Sequence, residues 1–130
     1  MFRQFVGAFG KDALIIDERW NTGGYSPDRF IELLNRPALF HWANAWGNEE
    51  TTPGFAQQGP KCMLINSSAG SSGDLFPYSF RKAGLGTLIG TRTWGGVVGL
   101  SGAPAFVDGG AVAIPRHAFY TTEGDRKSVV

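Results

Sequence analysis

Small polar residues cluster in the middle of the chain, at the end of an apolar run. In the stretch Leu64 to Phe80, LINSSAGSSGDLFPYSF, the segment NSSAGSSG places four serines and two glycines where a strand is expected to lead into a helix. Small residues at such a junction let a ligand approach the backbone, and a serine hydroxyl there can act as a nucleophile. Ser71 and Ser72 are therefore the candidate nucleophiles.

A second glycine-bearing loop, Asn21-Thr22-Gly23-Gly24, follows an earlier apolar run. Loops at the carboxyl ends of neighbouring parallel strands lie at the same edge of a sheet. One backbone N–H from each loop can then point at a single oxygen, which makes an oxyanion hole for acyl transfer. The spacing around Ser71 does not match G-x-S-x-G, so a flexible turn with serine caps stays open as the alternative.

The order of elements predicts an α/β fold with a largely parallel sheet. Buried strands are predicted at Ala13 to Asp17, covered on both faces, at Lys61 to Asn66 and at Thr87 to Gly90. A helix is predicted from Asp74 to Ala83, with Gly84 at its C-terminal cap. Because strands and helices alternate, the crossovers are expected to be right-handed and the strands parallel.

Three further segments are assigned from turn and cap signals. Ser26 as N-cap and Pro27 as first helical residue predict a helix with Phe30, Leu33 and Leu34 on its apolar side. The region from Trp42 to Pro60 is interpreted as an irregular surface excursion. Phe106 to Ile114 is predicted to be a hairpin that turns at Asp108-Gly109-Gly110.

Composition limits the classes of partner. A chain of 130 residues with a net charge of +1 predicts one domain, and gives no reason to expect nucleic acid or an anionic membrane. The single Cys62 excludes a disulfide framework and is interpreted as a small buried hydrophobe. No apolar stretch is long enough to predict a membrane span, and no Cys, His, Asp or Glu spacing predicts a metal or cofactor.

Three segments resemble the tail-specific protease family of serine peptidases, and most closely its tricorn branch. They are LIIDERWNTGG (14–24), NSSAGSSGDLFPYSFRKAGLGTLIGTRTWGGVVG (66–99), and DGG with IPRHAFY (108–120). Their order and spacing agree over nearly the whole chain. The resemblance implies a crotonase-like, ClpP-type fold and peptide-bond hydrolysis, with no cofactor.

The same resemblance implies roles for individual residues. The family's nucleophile falls on Ser71, and the two oxyanion N–H donors fall on Gly24 and Ser72. The general-base histidine of the tricorn branch lies in a preceding part of a longer polypeptide and has no equivalent here. The accessory glutamate has its equivalent near Val129. Residues 1–130 are therefore expected to be the core of a catalytic domain, as a fragment of a larger enzyme or a truncated gene product.

The two histidines are weighed as packed or surface groups against a general base or a pocket wall. For His41, with Trp42 beside it, the pocket wall is favoured. The tricorn branch carries an acidic residue near that position, which attracts basic substrate side chains. This chain has Phe40, His41 and Trp42 there instead, so the resemblance does not imply a preference for basic side chains. For His117 both interpretations stay open.

Three functions remain. The first is a serine peptidase acting on peptides or unfolded polypeptides, alone, as a homo-oligomer or with the rest of a larger polypeptide. The second is a non-catalytic peptide-binding or scaffolding module derived from such a peptidase. The third, acyl-thioester enolate chemistry, is disfavoured, since only Asp17 and Glu18 lie near the Asn21 loop as acid or base.

Overall fold

The computed structural model describes residues 2–124 and contains a three-stranded parallel sheet with helices packed on one face. The sheet has the strand order β1-β4-β5, and both of its strand pairs are parallel. The predicted α/β class with a parallel sheet is therefore confirmed. The elements are, in chain order, α1 (Phe2–Ala8), β1 (Leu14–Asp17), α2 (Asp28–Leu34), β2 (Phe40–Ala43), β3 (Glu49–Thr52), β4 (Lys61–Ile65), α3 (Ser72–Lys82), β5 (Thr87–Gly90), β6 (Gly99–Gly102) and β7 (Ala113–His117).

The hydrophobic core lies between the sheet and the three helices. Met63 of β4 and Phe80 of α3 are fully buried at its centre. Leu33 and Leu34 of α2 are buried in the same cluster, which confirms the predicted apolar side of that helix. Burying side chains of this size stabilises the fold by roughly 1.5–3 kcal/mol each, and this packing positions α3 below the ends of the strands.

The opposite face of the sheet is open, which corrects the prediction that the first strand is covered on both faces. Ile15 is 69% exposed, and Ile89 on β5 is 50% exposed. The register pairs Ile15 with Cys62, so Cys62 lies on this open face and is half-buried rather than buried. A continuous apolar run predicts burial of the strand as a whole, but it does not show which layer covers each face.

The predicted irregular excursion after Trp42 is wrong, because part of it forms an antiparallel hairpin. β2 pairs with β3, and Asn44 organises the turn between them. The Asn44 side-chain oxygen accepts the N–H groups of Trp46 and Asn48, while Gly47 adopts φ +83°. Four-residue strands with exposed side chains lack the apolar alternation by which a strand is recognised.

The C-terminal strand pair also differs from the predicted hairpin. A turn is present at Asp108 to Gly110, but the two paired strands are β6 and β7, farther apart in sequence. Pro104 lacks an N–H, so the segment just before the turn is a poor place for a ladder. β6 reads GLSG, a composition without strand propensity.

The helix starts differ from prediction by one or two residues. Pro27 is the N-cap of α2 rather than its first residue, and the Ser26 hydroxyl donates to the Asp28 carboxylate instead of capping the helix. α3 begins at Ser72, two residues before the predicted start, and ends at Lys82, followed by Gly84 at φ +66°. α1 was not predicted. No helix between residues 2 and 124 is long and apolar enough to cross a bilayer.

Candidate active site

The loops after β1 and β4 meet at the carboxyl edge of the sheet, as the strand argument predicts. A Cβ added to Gly23 would lie 2.7 Å from Ser71 Cβ and 3.0 Å from Ser71 Oγ. The Gly70 N–H donates to the Asn21 carbonyl at 2.9 Å, and the Ser72 hydroxyl donates to the Tyr25 carbonyl at 2.6 Å. Only glycine fits at position 23, since any side chain there would displace Ser71.

Ser71 stands at the junction of its loop with α3, in a backbone conformation that L-residues rarely adopt. Its φ is +57° and its ψ is −115°, and it is the N-cap residue of α3. Such a conformation costs on the order of 1–3 kcal/mol and persists only where the surroundings impose it. The side chain is half-buried and lines a cavity, so its hydroxyl is not sealed in the interior.

The strain at Ser71 predicts an inverted order of stability for two small replacements. We expect Ser71→Gly to be more stable than Ser71→Ala by about 1 kcal/mol, because glycine adopts positive φ freely whereas alanine keeps the strain. Urea unfolding of both variants measures the difference. At Ser79 inside α3 the same pair should give the opposite order, with alanine more stable than glycine. An identical order at both positions would show that Ser71 is unstrained.

Asp74 binds the loop of Ser71 to a third loop. Its side chain is fully buried, and its Oδ2 accepts the Ser71 N–H at 2.7 Å while its Oδ1 accepts the Gly95 N–H at 2.6 Å. Asp74 lies in the first turn of α3, as predicted, where a carboxylate is favoured by the helix dipole. The bond to Gly95 was not predicted, because Gly95 lies 21 residues farther along the chain.

Trp94 covers the loop of Ser71 from that third loop. Its N–H donates to the Ala69 carbonyl at 2.8 Å, and its ring lies against Gly70, where an added Cβ would come within 2.7 Å. The side chain is 74% exposed. The exposed ring of Trp94 therefore lies beside the backbone that precedes Ser71.

The two predicted oxyanion donors lie on either side of the contact between the loops. Gly24 has φ +128° and is exposed, and Ser72 is the first residue of α3. Within residues 2–124, neither the Gly24 N–H nor the Ser72 N–H donates to a protein acceptor. Neither N–H is used by the fold within these residues, although Ser72 is only 6% exposed, and the role of both groups as oxyanion donors stays a prediction.

A cavity of about 250 Å³ adjoins Ser71, and its wall is mainly apolar. His117 contributes to this wall, whereas His41 and Trp42 do not. In the described part of the chain, neither histidine is hydrogen-bonded to the Ser71 hydroxyl. The lining includes Ser71, Leu75, Val97, Val98, His117 and Phe119.

His41 and Trp42 lie on the exposed β2–β3 hairpin. His41 Nδ1 is 3.3 Å from the Thr51 hydroxyl, and Trp42 packs edge-to-face on Phe40. The structure does not bring either residue into the cavity beside Ser71, so their assignment to a substrate pocket stays a prediction. Val129, the predicted position of the accessory glutamate, lies outside the described residues.

Glu18 is a buried carboxyl group beside the first loop. It is 1% exposed, and the Asn21 side-chain nitrogen donates to its Oε1 at 2.5 Å. Burial raises the pKa of Glu18 to about 7, and the nearby charge of Asp17 acts in the same direction, while the hydrogen bond from Asn21 opposes them. Asp17 itself pairs with Arg19, and the bond to Arg19 lowers the pKa of Asp17.

No arrangement of three or more His, Cys, Asp or Glu side chains in the described ranges could hold a metal ion. The sequence does not identify Asn21 as the link between the two loops, and among the side chains that line the cavity it offers only Ser71 and His117 as candidates. The one sequence signal for Asn21 is its place before Gly23, where asparagine commonly accepts the N–H two residues ahead. The other cavity residues carry no such signal.

Comparisons with known proteins agree on one family. The sequence matches peptidase family S41 over residues 1–128. It is 41% identical over 119 residues to the tricorn protease of Thermoplasma volcanium and 36% identical over 119 residues to a tricorn protease homolog of Saccharolobus solfataricus. These matches cover 92% and 90% of this chain, but only 12% and 11% of the relatives' lengths.

Solved structures show the same relationship. The crystal structure of the tricorn protease superposes with a TM-score of 0.87 at 37% identity, over 94% of this chain and 12% of that one. The photosystem II D1 C-terminal processing protease shares the fold with a TM-score of 0.56 at 20% identity, over 88% of this chain and 31% of that one. The chain therefore spans about one eighth of the tricorn proteases that it matches.

Proposed function

The chain belongs to peptidase family S41, and we propose that it is the core of a serine peptidase catalytic domain that hydrolyses peptide bonds through an acyl-enzyme on Ser71. The observation that carries this proposal is the contact between Gly23 and Ser71, which brings the two glycine-bearing loops together. We further propose that the sheet and helices belong to the crotonase-like, ClpP-type arrangement.

In the proposed reaction Ser71 Oγ attacks the carbonyl carbon of the scissile peptide bond. The oxygen of that carbonyl becomes negatively charged and accepts the N–H groups of Gly24 and Ser72, assisted by the positive end of α3. The amine leaves with a proton, and water then hydrolyses the ester on Ser71. Each N–H donor of this kind contributes on the order of 3–4 kcal/mol to transition-state stabilisation.

The proton of the Ser71 hydroxyl requires a base. Because no described histidine is bonded to Ser71, we propose that the base is supplied by a segment outside residues 1–130, in the rest of a larger polypeptide or in a partner. The lengths of the tricorn relatives support this proposal, since the matches cover only 12% and 11% of those polypeptides.

The substrate is proposed to be a peptide or unfolded polypeptide with an apolar side chain next to the scissile bond. The cavity beside Ser71 supports this preference, because Leu75, Val97 and Phe119 line it, and its wall includes no acidic side chain from residues 2–124. A cavity of about 250 Å³ is large enough for a branched aliphatic or aromatic side chain.

One observation favours a second candidate, a non-catalytic peptide-binding module. The loops and the cavity are formed, yet Ser71 lacks a bonded base within residues 2–124. Such a module would bind peptides without reacting. The thioester alternative is less well supported, because Glu18, the carboxyl nearest to the Asn21 loop besides Asp17, is almost completely buried.

A fluorophosphonate probe, which reacts only with an activated serine, tests the proposal. We expect Ser71 to be labelled in a polypeptide that includes the preceding segment, with the labelled peptide identified by mass spectrometry. Gly23→Ala should slow labelling on the order of 100-fold, because the new methyl group displaces Ser71. Gly47→Ala, at a positive φ but with open space around it, should change the rate by no more than about twofold.

The outcomes separate the candidates. Labelling of the 130-residue chain alone would show that the base lies within it. Peptide binding without labelling, in both the short and the long polypeptide, would favour the non-catalytic module. Labelling at a different serine would contradict the assignment of Ser71.

A further inference from the structure

We propose that Glu18 is the positioning residue of the loop that carries Gly23 and Gly24, and that it acts through the side-chain amide of Asn21. This inference rests on the proposed function, in which that loop supplies one of the two oxyanion donors. Glu18 contacts neither the substrate nor Ser71. It orients the backbone of Gly23 and Gly24, which lies against Ser71 and is proposed to bind the substrate.

Three hydrogen bonds of Asn21 bear on the loop geometry: one crosses to the other loop, one stays within its own loop, and one goes to Glu18. Its carbonyl accepts the Gly70 N–H from the loop of Ser71 at 2.9 Å, and its side-chain Oδ1 accepts the Gly23 N–H at 3.0 Å. Its side-chain Nδ2 donates to Glu18 Oε1 at 2.5 Å. The Gly23 N–H lies one residue before the Gly24 N–H, so the orientation of the Asn21 amide bears directly on the predicted donor.

Glu18 selects that orientation because of the chemistry of the two groups. An asparagine amide has an acceptor end and a donor end of nearly the same shape, and only its partners decide which end points where. Glu18 Oε1, which faces Asn21, accepts a hydrogen bond when the carboxyl is ionised and also when the proton is on the other oxygen, and so requires the NH₂ end. The oxygen end is then left to accept the Gly23 N–H. With the amide reversed, two donors would face each other at Gly23.

The fold holds Glu18 in a fixed position relative to Asn21. It follows β1 directly, and its own N–H donates to the Leu64 carbonyl of β4 at 3.0 Å, which fixes its backbone to the sheet. The side chain is 1% exposed, so water does not compete for the Asn21 amide. Burial of this carboxyl opposes its ionisation, so the group does not help the stability of the fold at neutral pH.

The test compares two replacements of similar length in the full chain. Glu18→Gln keeps an oxygen acceptor for Asn21, whereas Glu18→Met keeps the length but removes the acceptor. We expect amide hydrogen exchange at Gly23, followed by NMR, to quicken on the order of tenfold in Glu18→Met and to remain at the wild-type rate in Glu18→Gln. Glu18→Met replaces a buried carboxyl by an apolar group but also leaves the Asn21 NH₂ group without its acceptor, so urea unfolding is measured for both variants. Exchange at Gly23 should quicken by more than the change in global stability accounts for.

This combination distinguishes positioning from a general structural role. If Glu18 only supported the fold, exchange at Gly23 would follow global stability, and both variants would change it together. Unchanged exchange at Gly23 in Glu18→Met would overturn the inference, as would equal acceleration in Glu18→Gln.

Reactivity separates this inference from the proposed function. In a polypeptide that labels at Ser71, Glu18→Met should lower the labelling rate on the order of tenfold, with Glu18→Gln close to wild type. Faster amide exchange at Gly23 in Glu18→Met, together with an unchanged labelling rate at Ser71, would support the positioning role. It would contradict the proposal that this loop supplies an oxyanion donor.

Discussion

Replacing Asp74 by asparagine is expected to lower the free energy of unfolding by about 3 kcal/mol. The carboxylate accepts two backbone N–H groups, from Ser71 and from Gly95, in a fully buried position. Asparagine has the same shape but only one acceptor end, so its NH₂ group would face one of these donors. That donor would be left buried without a partner. Urea unfolding monitored by tryptophan fluorescence measures the loss.

The matched control is Asp28→Asn. Asp28 is also an acid in the first turn of a helix, but it is exposed on α2 and holds no second loop. Its replacement should cost no more than about 0.5 kcal/mol, the ordinary value for a helix-end charge. Equal losses at both positions would mean that Asp74 acts only through the helix dipole, and not as the link between two loops.

The second large effect is a pH dependence of stability that originates at Glu18. The pKa of Glu18 is about 7 in the folded chain, against an ordinary value of 4.5. Between these two values the unfolded chain has lost the proton while the folded chain keeps it, so ionisation favours unfolding. The free energy of unfolding should therefore fall by about 3 kcal/mol as the pH rises from about 4 to 7.5, and level off above that.

Comparison with Glu18→Gln isolates this contribution. Other carboxyl groups act in the opposite direction, including Asp17, whose pKa is lowered by Arg19. The pH dependence of the wild-type unfolding free energy is therefore the sum of several contributions. The difference in unfolding free energy between Glu18→Gln and wild type should increase by about 3 kcal/mol over that pH range. A flat difference between Glu18→Gln and wild type would place the Glu18 carboxyl in contact with water.

The two buried carboxyl groups hold different halves of the same site. Asp74 ties the strained Ser71 backbone to the loop at Gly95, and Glu18 orients the Asn21 amide that binds Gly23. Buried polar groups of this kind are costly unless every partner is present. Their cost to stability is consistent with a site whose backbone geometry must be held closely.

The sequence determined the order of the main elements and the position of the site. Strong local patterns predict the three parallel strands and α3. An apolar run of four or five residues that is followed by a glycine loop is compatible with few structures other than a buried strand. The meeting of the loops at Gly23 and Ser71 follows from the same reasoning, since neighbouring parallel strands end at the same edge.

Only the tertiary structure decided which groups surround that site. The bond from Asp74 to Gly95, the amide of Asn21 between Glu18 and Gly23, and the place of His117 in the cavity wall each join residues whose relation has no local pattern. The exposure of Ile15 could not be predicted from the sequence either. A run of apolar residues indicates that a strand is apolar, but not whether another layer packs on each of its faces. Local propensity acts over a few residues, whereas burial and hydrogen-bond partners are set by segments that meet only when the chain has folded.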